Sequence, residues 1–253
     1  DLHNLYANGL NFGPAPAALL AAMPLERVPP GLEVVFADDT LVVLHKPSGL
    51  LCVPGRGPDK QDCLSARVQA VFADALVVHR LDQATSGLVI MARGIDNQRM
   101  LSRAFEQRTV YKRYHAVVQG AVPAAWADWQ TIALPIAVDW PNRPRRVIDP
   151  THGQAACTRA RIAPHPSLGM PSDASFLELE PLTGRTHQLR VHLAATGFPI
   201  LGDTLYAPDA VAARAPRLLL HACALGLTHP RTGQTVLWTL DPLKYEGEPR
   251  PER

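Results

Sequence analysis

The sequence predicts a mixed α/β domain with two lobes, and three observations support this fold class. Short runs of aliphatic and β-branched residues recur along the chain between turn-forming residues, as expected of strands. A few segments show the spacing of three and four residues that is typical of amphipathic helices. Neither an internal repeat nor a second class of composition divides the chain, so a single mixed domain is the simplest architecture.

Strands are predicted where an apolar run of a few residues is bounded by glycine, proline, aspartate or a polar loop. The first two runs are separated by Asp38 and Asp39, which predicts a turn between two paired strands. The predicted strands cover residues 32–36, 41–44, 76–78, 88–91, 111–118, 176–179, 218–227 and 235–240, with shorter runs near Ile132 and Cys157.

The clearest predicted helix covers residues 96–108, with Asp96 or Asn97 as its N-cap, because its apolar residues recur at helical spacing. These residues are Met100, Leu101, Ala104 and Phe105. A second helix is predicted over residues 185–195, with Gly197 just past its end as a C-cap. Residues 64–72 are a third candidate.

Composition excludes several classes of protein. Hydrophobic residues make up 47% of the chain and charged residues 19%, which is typical of a globular protein rather than a disordered or fibrous one. The net charge is +2, so any nucleic-acid site must be a local basic patch. The four cysteines form no CxxC pair and are expected to be reduced thiols.

The start of the chain is rich in proline and glycine, and we interpret residues 1–30 as an N-terminal extension. Residues 31–253 then form the main domain. No run of about 18 apolar residues is present, so no membrane span is expected. The first residues lack the basic start of a signal peptide, and a cytoplasmic protein is therefore expected.

Three polar segments are candidates for chemistry, and the first is a loop between two predicted strands. His79, Arg80 and Asp82 precede a stretch of hydroxyl and glycine residues at 85–87. An arginine within hydrogen-bonding reach would lower the pKa of Asp82 by about 1 to 3 units and keep a nucleophilic or basic carboxylate ionised. An aspartate in a turn more often caps backbone amides, and the loop alone leaves both roles open.

The other two segments are basic. Residues 182–193 place Arg185, His187, Arg190 and His192 at the start and along the predicted helix, where phosphate or carboxylate could bind. A helix with one solvent-facing side would show the same pattern. Residues 112–118 form a basic strand in which Tyr114 could stack on a base, although a half-buried strand with exposed charges is the commoner explanation.

Taken together, these segments resemble the pseudouridine synthases, and specifically the RluA family, whose signature loop reads His-Arg-Leu-Asp-x-x-Thr-Ser-Gly. Further matching segments follow in family order at residues 46–50, 112–114, 184–192, 197–203, 220–222 and 229–230, so the resemblance covers about residues 32–241. Segments 51–56 and 139–144 are most similar to family members with dual specificity. Gln119 departs from the family, which favours an aromatic residue there.

The resemblance implies a pseudouridine synthase fold: a mixed, mainly antiparallel sheet in two lobes with flanking helices and a central cleft, and no N-terminal S4-type RNA-binding module. It implies isomerisation of uridines in stem-loops of 23S rRNA, of the tRNA anticodon arm or of both, with uridine-746 of the rRNA and uridine-32 of the tRNA as the expected targets. Because an isomerisation exchanges neither electrons nor atoms with a second substrate, no cofactor and no metal are expected. A monomer is expected.

The resemblance also assigns residues. Asp82 would be the catalytic carboxylate, Arg190 its partner with Arg185 as the fallback, and Tyr114 would stack on the target uracil. Arg80 would fill the place of the extruded base, or anchor a phosphate or carboxylate instead. The residues expected to bind RNA are Arg80, His79, Lys46, Arg185, Arg143 and Leu189.

Two other functions were weighed against this one. A catalytically inactive RNA-binding or ribosome-assembly protein would keep the fold without needing Asp82, Tyr114 and Arg190 intact. A hydrolase would require a second carboxylate near Asp82, and the motif segments offer no obvious one. A zinc protein is disfavoured because cysteine and histidine show no ligand spacing.

Overall fold

A computed structural model describes residues 32–164 and 172–240. The expected extension over residues 1–30 lies outside the described residues. The described chain forms two compact units. The first unit contains residues 32–112 and 224–240, and the second contains the described residues between 113 and 223.

The first unit is a sheet covered by helices. Its strands are β1 Glu33–Ala37, β2 Leu41–Lys46, β3 Ala75–Val77, β4 Ser86–Arg93 and β12 Thr235–Thr239, together with the end of β11 Leu220–Thr228. The order is β1-β2-β4-β11, with β3 on β4 and β12 on β11. The β1–β2, β2–β4, β3–β4 and β11–β12 pairs are antiparallel. Its helices are α1 Leu64–Gln69 and α2 Ile95–Glu106, with a 3-10 turn at Pro58–Lys60.

The core of the first unit lies between its sheet and α2. Leu101 is the buried residue of α2 and packs into an apolar cluster with the strands and Trp238. All six residues of β2 are buried, so this strand is covered on both faces. The predicted turn before β2 is confirmed: Asp38 Oδ1 accepts the N–H groups of Thr40 and Leu41 at 2.7 and 2.9 Å.

The second unit contains a series of hydrogen-bonded strands and a separate hairpin. The series is formed by β11, β5 Tyr111–Gln119, β10 Ala174–Pro181, β9 Thr158–Ile162 and β6 Gln130–Ile132, in that order. The hairpin pairs β7 Ile136–Val138 with β8 Arg146–Ile148. The helices are α3 Gln188–Ala195 and α4 Asp209–Ala212, with a 3-10 turn at Ala124–Ala127.

These elements confirm the predicted mixed fold, with a mostly antiparallel sheet and few helices, but correct three details. The β7–β8 hairpin was not predicted: each of its strands has three residues, and β8 begins with a charged residue in place of an apolar run. Helix α2 begins after Gly94, so the expected N-cap at Asp96 or Asn97 was wrong. Helix α3 begins at Gln188 instead of 185, because His187 has left-handed backbone angles (φ 58°) that end any helix there.

Candidate active site

The loop that carries Asp82 is held in place by the segment that follows β2. Gln83 exchanges hydrogen bonds with Gly49: Gly49 N–H donates to the Gln83 carbonyl at 2.8 Å, and Gln83 Nε2 donates to the Gly49 carbonyl at 3.0 Å. Ser48 Oγ donates to the Ala84 carbonyl at 2.7 Å. These bonds fix the backbone next to Asp82, whose side chain is partly buried. The backbone on the C-terminal side of Asp82 is therefore held by residues from another segment of the chain.

Lys46 completes this anchoring. Its side chain is fully buried, and Nζ donates to the carbonyls of Pro47, Leu50 and Gln83 at 2.8, 2.8 and 3.0 Å. The ammonium therefore donates to backbone carbonyls of both loops. This geometry favours a structural role for Lys46 in joining the two loops, and the expectation that Lys46 binds RNA stays a prediction.

His79 also serves the scaffold. Its Nε2 accepts the Ile90 N–H at 2.9 Å, and its ring stacks on Phe105 with centroids 4.3 Å apart. Burial, reinforced by the charge of Lys112, lowers the pKa of His79 to about 3, so the ring is neutral at physiological pH. A neutral, stacked imidazole offers no charge to phosphate, which favours a structural role, and the expectation that His79 binds RNA stays a prediction.

Arg80 and Leu81 are neighbours in this loop but differ in exposure to solvent. Leu81 is buried, and its N–H donates to the Cys52 sulfur at 3.2 Å. Burial raises the pKa of the Cys52 thiol, which therefore stays protonated as a structural acceptor. Arg80 is exposed, two residues before Asp82. The loop thus presents a cation to solvent beside its carboxylate.

In the second unit, the loop before α3 is ordered by Gln188. Its Oε1 accepts the Thr183 hydroxyl at 2.6 Å and the Arg185 N–H at 3.1 Å, and its Nε2 donates to the Cys157 carbonyl at 2.9 Å. His187 lies inside this loop with positive φ, a conformation that is costly for a residue other than glycine. Such strain is concentrated at functional sites.

Arg190 lies on α3 and forms a buried ion pair that sequence reasoning missed. Its Nε and Nη2 donate to the two carboxylate oxygens of Asp203 at 2.8 and 2.6 Å. The ring of Tyr206 lies 5.1 Å from the Arg190 guanidinium carbon. These two bonds hold the guanidinium in one orientation.

The turn that contains Asp203 and Tyr206 determines the positions of both residues. A Cβ on Gly202 (φ 76°) would lie 1.8 Å from the Arg217 carbonyl oxygen, so only glycine fits before Asp203. The Tyr206 hydroxyl accepts the Arg146 N–H at 2.8 Å and lies 2.6 Å from His187 Nδ1. Tyr206 thereby links the β7–β8 hairpin to the start of α3. The only sequence signal was Gly-Asp at 202–203, within a segment that matches the family.

The remaining candidate RNA-binding and catalytic residues lie in the second unit and differ in solvent exposure. Tyr114 is partly buried on β5, opposite Leu179 of β10. Leu189 is 6% exposed, so it can offer only a small apolar surface. Arg185 is partly exposed, with Nε donating to the Ala155 carbonyl at 3.1 Å. Arg143 is exposed at the hairpin tip. The roles assigned to these four residues stay predictions.

Two further properties concern the described part of the chain alone. Within residues 32–164 and 172–240, no three side chains of His, Cys, Asp or Glu are grouped so that they could hold a metal ion. Over the same ranges, no helix has the length and apolar character needed to cross a membrane.

Comparison with known proteins decides the family. Residues 40–195 match the family model described as RNA pseudouridylate synthase. The chain is similar to the dual-specificity RNA pseudouridine synthase RluA of Haemophilus influenzae, with 40% identity over 213 residues, which is 84% of this chain and 93% of the relative. The chain belongs to the RluA family of RNA pseudouridine synthases. RluA of Escherichia coli strain K12 is 41% identical over 207 residues, covering 82% of this chain and 91% of the relative.

Solved structures agree with this membership in the pseudouridine synthases. Human RNA pseudouridylate synthase domain containing 1 is 27% identical with a TM-score of 0.68, covering 83% of each chain. Human RNA pseudouridylate synthase domain containing 4 is 25% identical with a TM-score of 0.63, covering 83% of this chain and 88% of the other. The predicted fold and enzyme class are therefore confirmed: the protein is an RNA pseudouridine synthase, an isomerase.

Proposed function

We propose that this enzyme isomerises uridines in stem-loops of 23S rRNA and of the tRNA anticodon arm, with Asp82 as the catalytic carboxylate. The observation that carries the proposal is the fixed loop around Asp82, whose neighbours Gln83 and Ala84 are bonded to the segment after β2. The proposed targets, uridine-746 of 23S rRNA and uridine-32 of tRNA, rest on the similarity of segments 51–56 and 139–144 to dual-specificity relatives. Action as a cytoplasmic monomer is part of the proposal.

The reaction breaks the bond between uracil N1 and ribose C1′ and forms one between uracil C5 and C1′. The proton lost from C5 is balanced by one gained at N1, so the product is an isomer of the substrate. Asp82 either attacks the nucleotide as a nucleophile or removes a proton as a base. Neither route requires a cofactor.

Arg190 is proposed as the cation that holds Asp82 ionised and aimed during this reaction. Its two bonds to Asp203 support the role, because they fix the orientation of the guanidinium. Tyr114 is proposed to stack on the target uracil, since stacking tolerates the rotation that the base must make. Leu189 supplies part of an apolar wall in this proposal.

Arg80 is proposed to occupy the space that the target base leaves. A base within a stem-loop must leave its stack before a carboxylate can reach its sugar, at a cost of a few kcal/mol that is smallest in loops. The exposed position of Arg80, two residues before Asp82, supports this role. Arg185 and Arg143 are proposed to contact phosphates, because neither forms an ion pair with a carboxylate within the described residues.

The test is pseudouridine formation in deproteinised RNA from cells that lack this protein. Wild-type, Asp82→Asn and Asp96→Asn proteins are added separately, and carbodiimide-dependent primer-extension stops are mapped across large-subunit rRNA and tRNA. Asp96 is an exposed aspartate on α2 and provides the matched control. We expect stops with wild type and Asp96→Asn but none with Asp82→Asn, whose RNA affinity should stay within about threefold of wild type.

Full activity of Asp82→Asn would remove the proposed catalytic role. Stops at uridines outside the two stem-loops would support the assignment as a pseudouridine synthase but would show that its targets differ from those proposed. Absence of stops with wild type in every RNA, while binding persists, would favour an inactive RNA-binding protein.

A further inference from the structure

The β7–β8 hairpin has a tip that is built to expose an aromatic ring. Of the four tryptophans in the chain, Trp140 alone is exposed, with 65% of its surface accessible. The tip is ordered by its own bonds: Asp139 Oδ1 accepts Asn142 Nδ2 at 3.0 Å, and Asp139 N–H donates to the Arg145 carbonyl at 3.2 Å. The ordered turn therefore holds a large apolar ring in solvent, where a ligand could stack on it.

One face of this ring is already covered by a cation. The Arg143 guanidinium carbon lies 4.5 Å from the centroid of the Trp140 ring, within the range of a cation–π contact. The contact restrains the indole and places a positive charge next to it. The pair therefore combines a stacking surface with a phosphate-binding group, as nucleic-acid sites do.

Arginines around the hairpin lack acidic partners among the described residues, whereas five arginines elsewhere in the second unit have them. Five arginines of this unit are paired with aspartate or glutamate: Arg113, Arg159, Arg161, Arg190 and Arg214. Four arginines at or beside the hairpin form no such pair with any described carboxylate: Arg143, Arg145, Arg146 and Arg185. Unneutralised guanidinium groups in one place favour a polyanion.

A cavity of about 490 Å³ lies against the same hairpin. Its lining combines the apolar side chains of β7 with Trp140, two of the unpaired arginines and several hydrogen-bonding groups. The lining residues that matter here are Trp140, Arg146, Arg185, Gln154, Thr186 and Asp149. Asp149 is the acidic member, and its Oδ1 accepts the N–H groups of Thr151 and His152 at 2.9 Å. Because Arg146 and Arg185 carry two positive charges and Asp149 one negative charge, the net charge of the lining is positive.

We propose that the hairpin and its cavity bind an unpaired loop nucleotide of the substrate RNA other than the uridine that is isomerised, with the base on Trp140 and its phosphate near Arg146 and Arg185. The volume is in the range of small-molecule sites, the lining is aromatic and cationic, and a stem-loop supplies several unpaired bases. Tyr114 and Arg190 do not line this cavity, so the nucleotide it holds is separate from the one they are proposed to contact.

The inference rests on the proposed function for its ligand, and it adds a second base-recognition site. Because stacking is tolerant of base identity, the site would recognise the position of an unpaired nucleotide in the loop rather than its sequence. This would let one enzyme accept two stem-loops that share the placement of an unpaired base.

The first test is binding of an unmodified anticodon stem-loop RNA to Trp140→Ala, Trp140→Phe and Arg143→Ala, each made in the Asp82→Asn protein so that the RNA stays unmodified. Loss of one stacked base weakens binding by about 5- to 100-fold, and Trp140→Phe should recover most of that loss. Met100→Ala, which removes another exposed apolar side chain, and Arg99→Ala, which removes another exposed arginine, are the controls.

Abasic nucleotides placed singly in the loop identify the partner. At one position, the abasic RNA and Trp140→Ala should each weaken binding, and together they should weaken it no further than either alone. Trp140 fluorescence should be quenched by intact RNA and not by that abasic RNA. Equal affinity of Trp140→Ala and Met100→Ala, or losses that multiply at every abasic position, would overturn the site.

Activity of wild-type protein on the same RNA separates this inference from the proposed function. Pseudouridine formation without any effect of Trp140 on binding would overturn the second site and leave the enzyme's proposed target intact. Quenching and coupling at one loop nucleotide, with no pseudouridine formed in that RNA, would keep the site and remove the proposed tRNA target.

Discussion

Arg190 donates two hydrogen bonds to Asp203 through Nε and Nη2, and the two side chains are 4% and 0% exposed. The same Asp203 Oδ1 also accepts the N–H groups of Leu205 and Tyr206 at 2.9 and 3.1 Å. Asp203 therefore does two things at once: it orients the proposed catalytic cation and it closes the turn that carries Tyr206.

Removal of the Asp203 carboxylate should leave a buried guanidinium without its partner. We expect Asp203→Ala to lower the free energy of unfolding by about 3 to 5 kcal/mol, measured by urea denaturation. Asp203→Asn keeps an acceptor for the turn and should cost less, while still reducing kcat. Asp209→Ala, at an exposed position on α4, is the control. A loss below about 1 kcal/mol in Asp203→Ala would contradict the assigned importance of the pair.

Lys46→Met tests whether this lysine anchors a loop or binds RNA. The variant keeps the length of the side chain but leaves three carbonyls without their charged donor, which should cost about 2 to 3 kcal/mol of stability. Activity should fall because the loop next to Asp82 loses an anchor. The dependence of RNA affinity on salt should keep its slope, whereas loss of a phosphate contact lowers that slope by about 1. A shallower slope for Lys46→Met would support the RNA-binding role.

His79 should make stability depend on pH. Its pKa is about 3 in the folded protein, against an ordinary value of 6.5, so the unfolded chain binds one more proton between these values. Stability is therefore fully present above pH 6.5 and falls as the pH drops towards 3, by up to about 1.4 kcal/mol per pH unit. Burial lowers the pKa of His192 as well, which acts in the same direction.

Denaturation of His79→Gln across this pH range isolates the contribution of His79. The variant cannot gain the proton, so its stability should fall less steeply below pH 6.5 than that of the wild type. Parallel curves for the two proteins would show that His79 titrates normally in the folded state.

Tyr206→Phe should separate the hydroxyl of this residue from its ring. The ring contact with Arg190 remains, but the Arg146 N–H loses its acceptor and His187 loses its partner. We expect a loss of about 1 to 2 kcal/mol in stability. If Tyr206 positions α3 through His187, single-turnover rates should fall more than RNA affinity does. An effect on stability alone would reduce Tyr206 to a structural role.

Much of the fold was predictable because periodicity is a local property. The apolar runs of β2 and β4 and the helical spacing of α2 arise from neighbouring residues, and their predicted places agree with the structure to within a few residues. The strands of the β7–β8 hairpin carry only a weak local pattern, and the hairpin is bonded to a distant residue, since the Tyr206 hydroxyl accepts the Arg146 N–H.

The candidate site also has features that the sequence predicted and features that it did not. The sequence by itself determined the order of the motifs, and with it the membership in the pseudouridine synthases and the candidate roles of Asp82, Tyr114 and Arg190. Tertiary structure alone showed that Lys46 and His79 are bonded to the backbone of neighbouring segments, and that Asp203 is a partner of Arg190. The physical reason is that a motif states which groups are present, whereas burial and hydrogen-bond geometry decide which of them remain free to act, and both depend on residues far away in the chain.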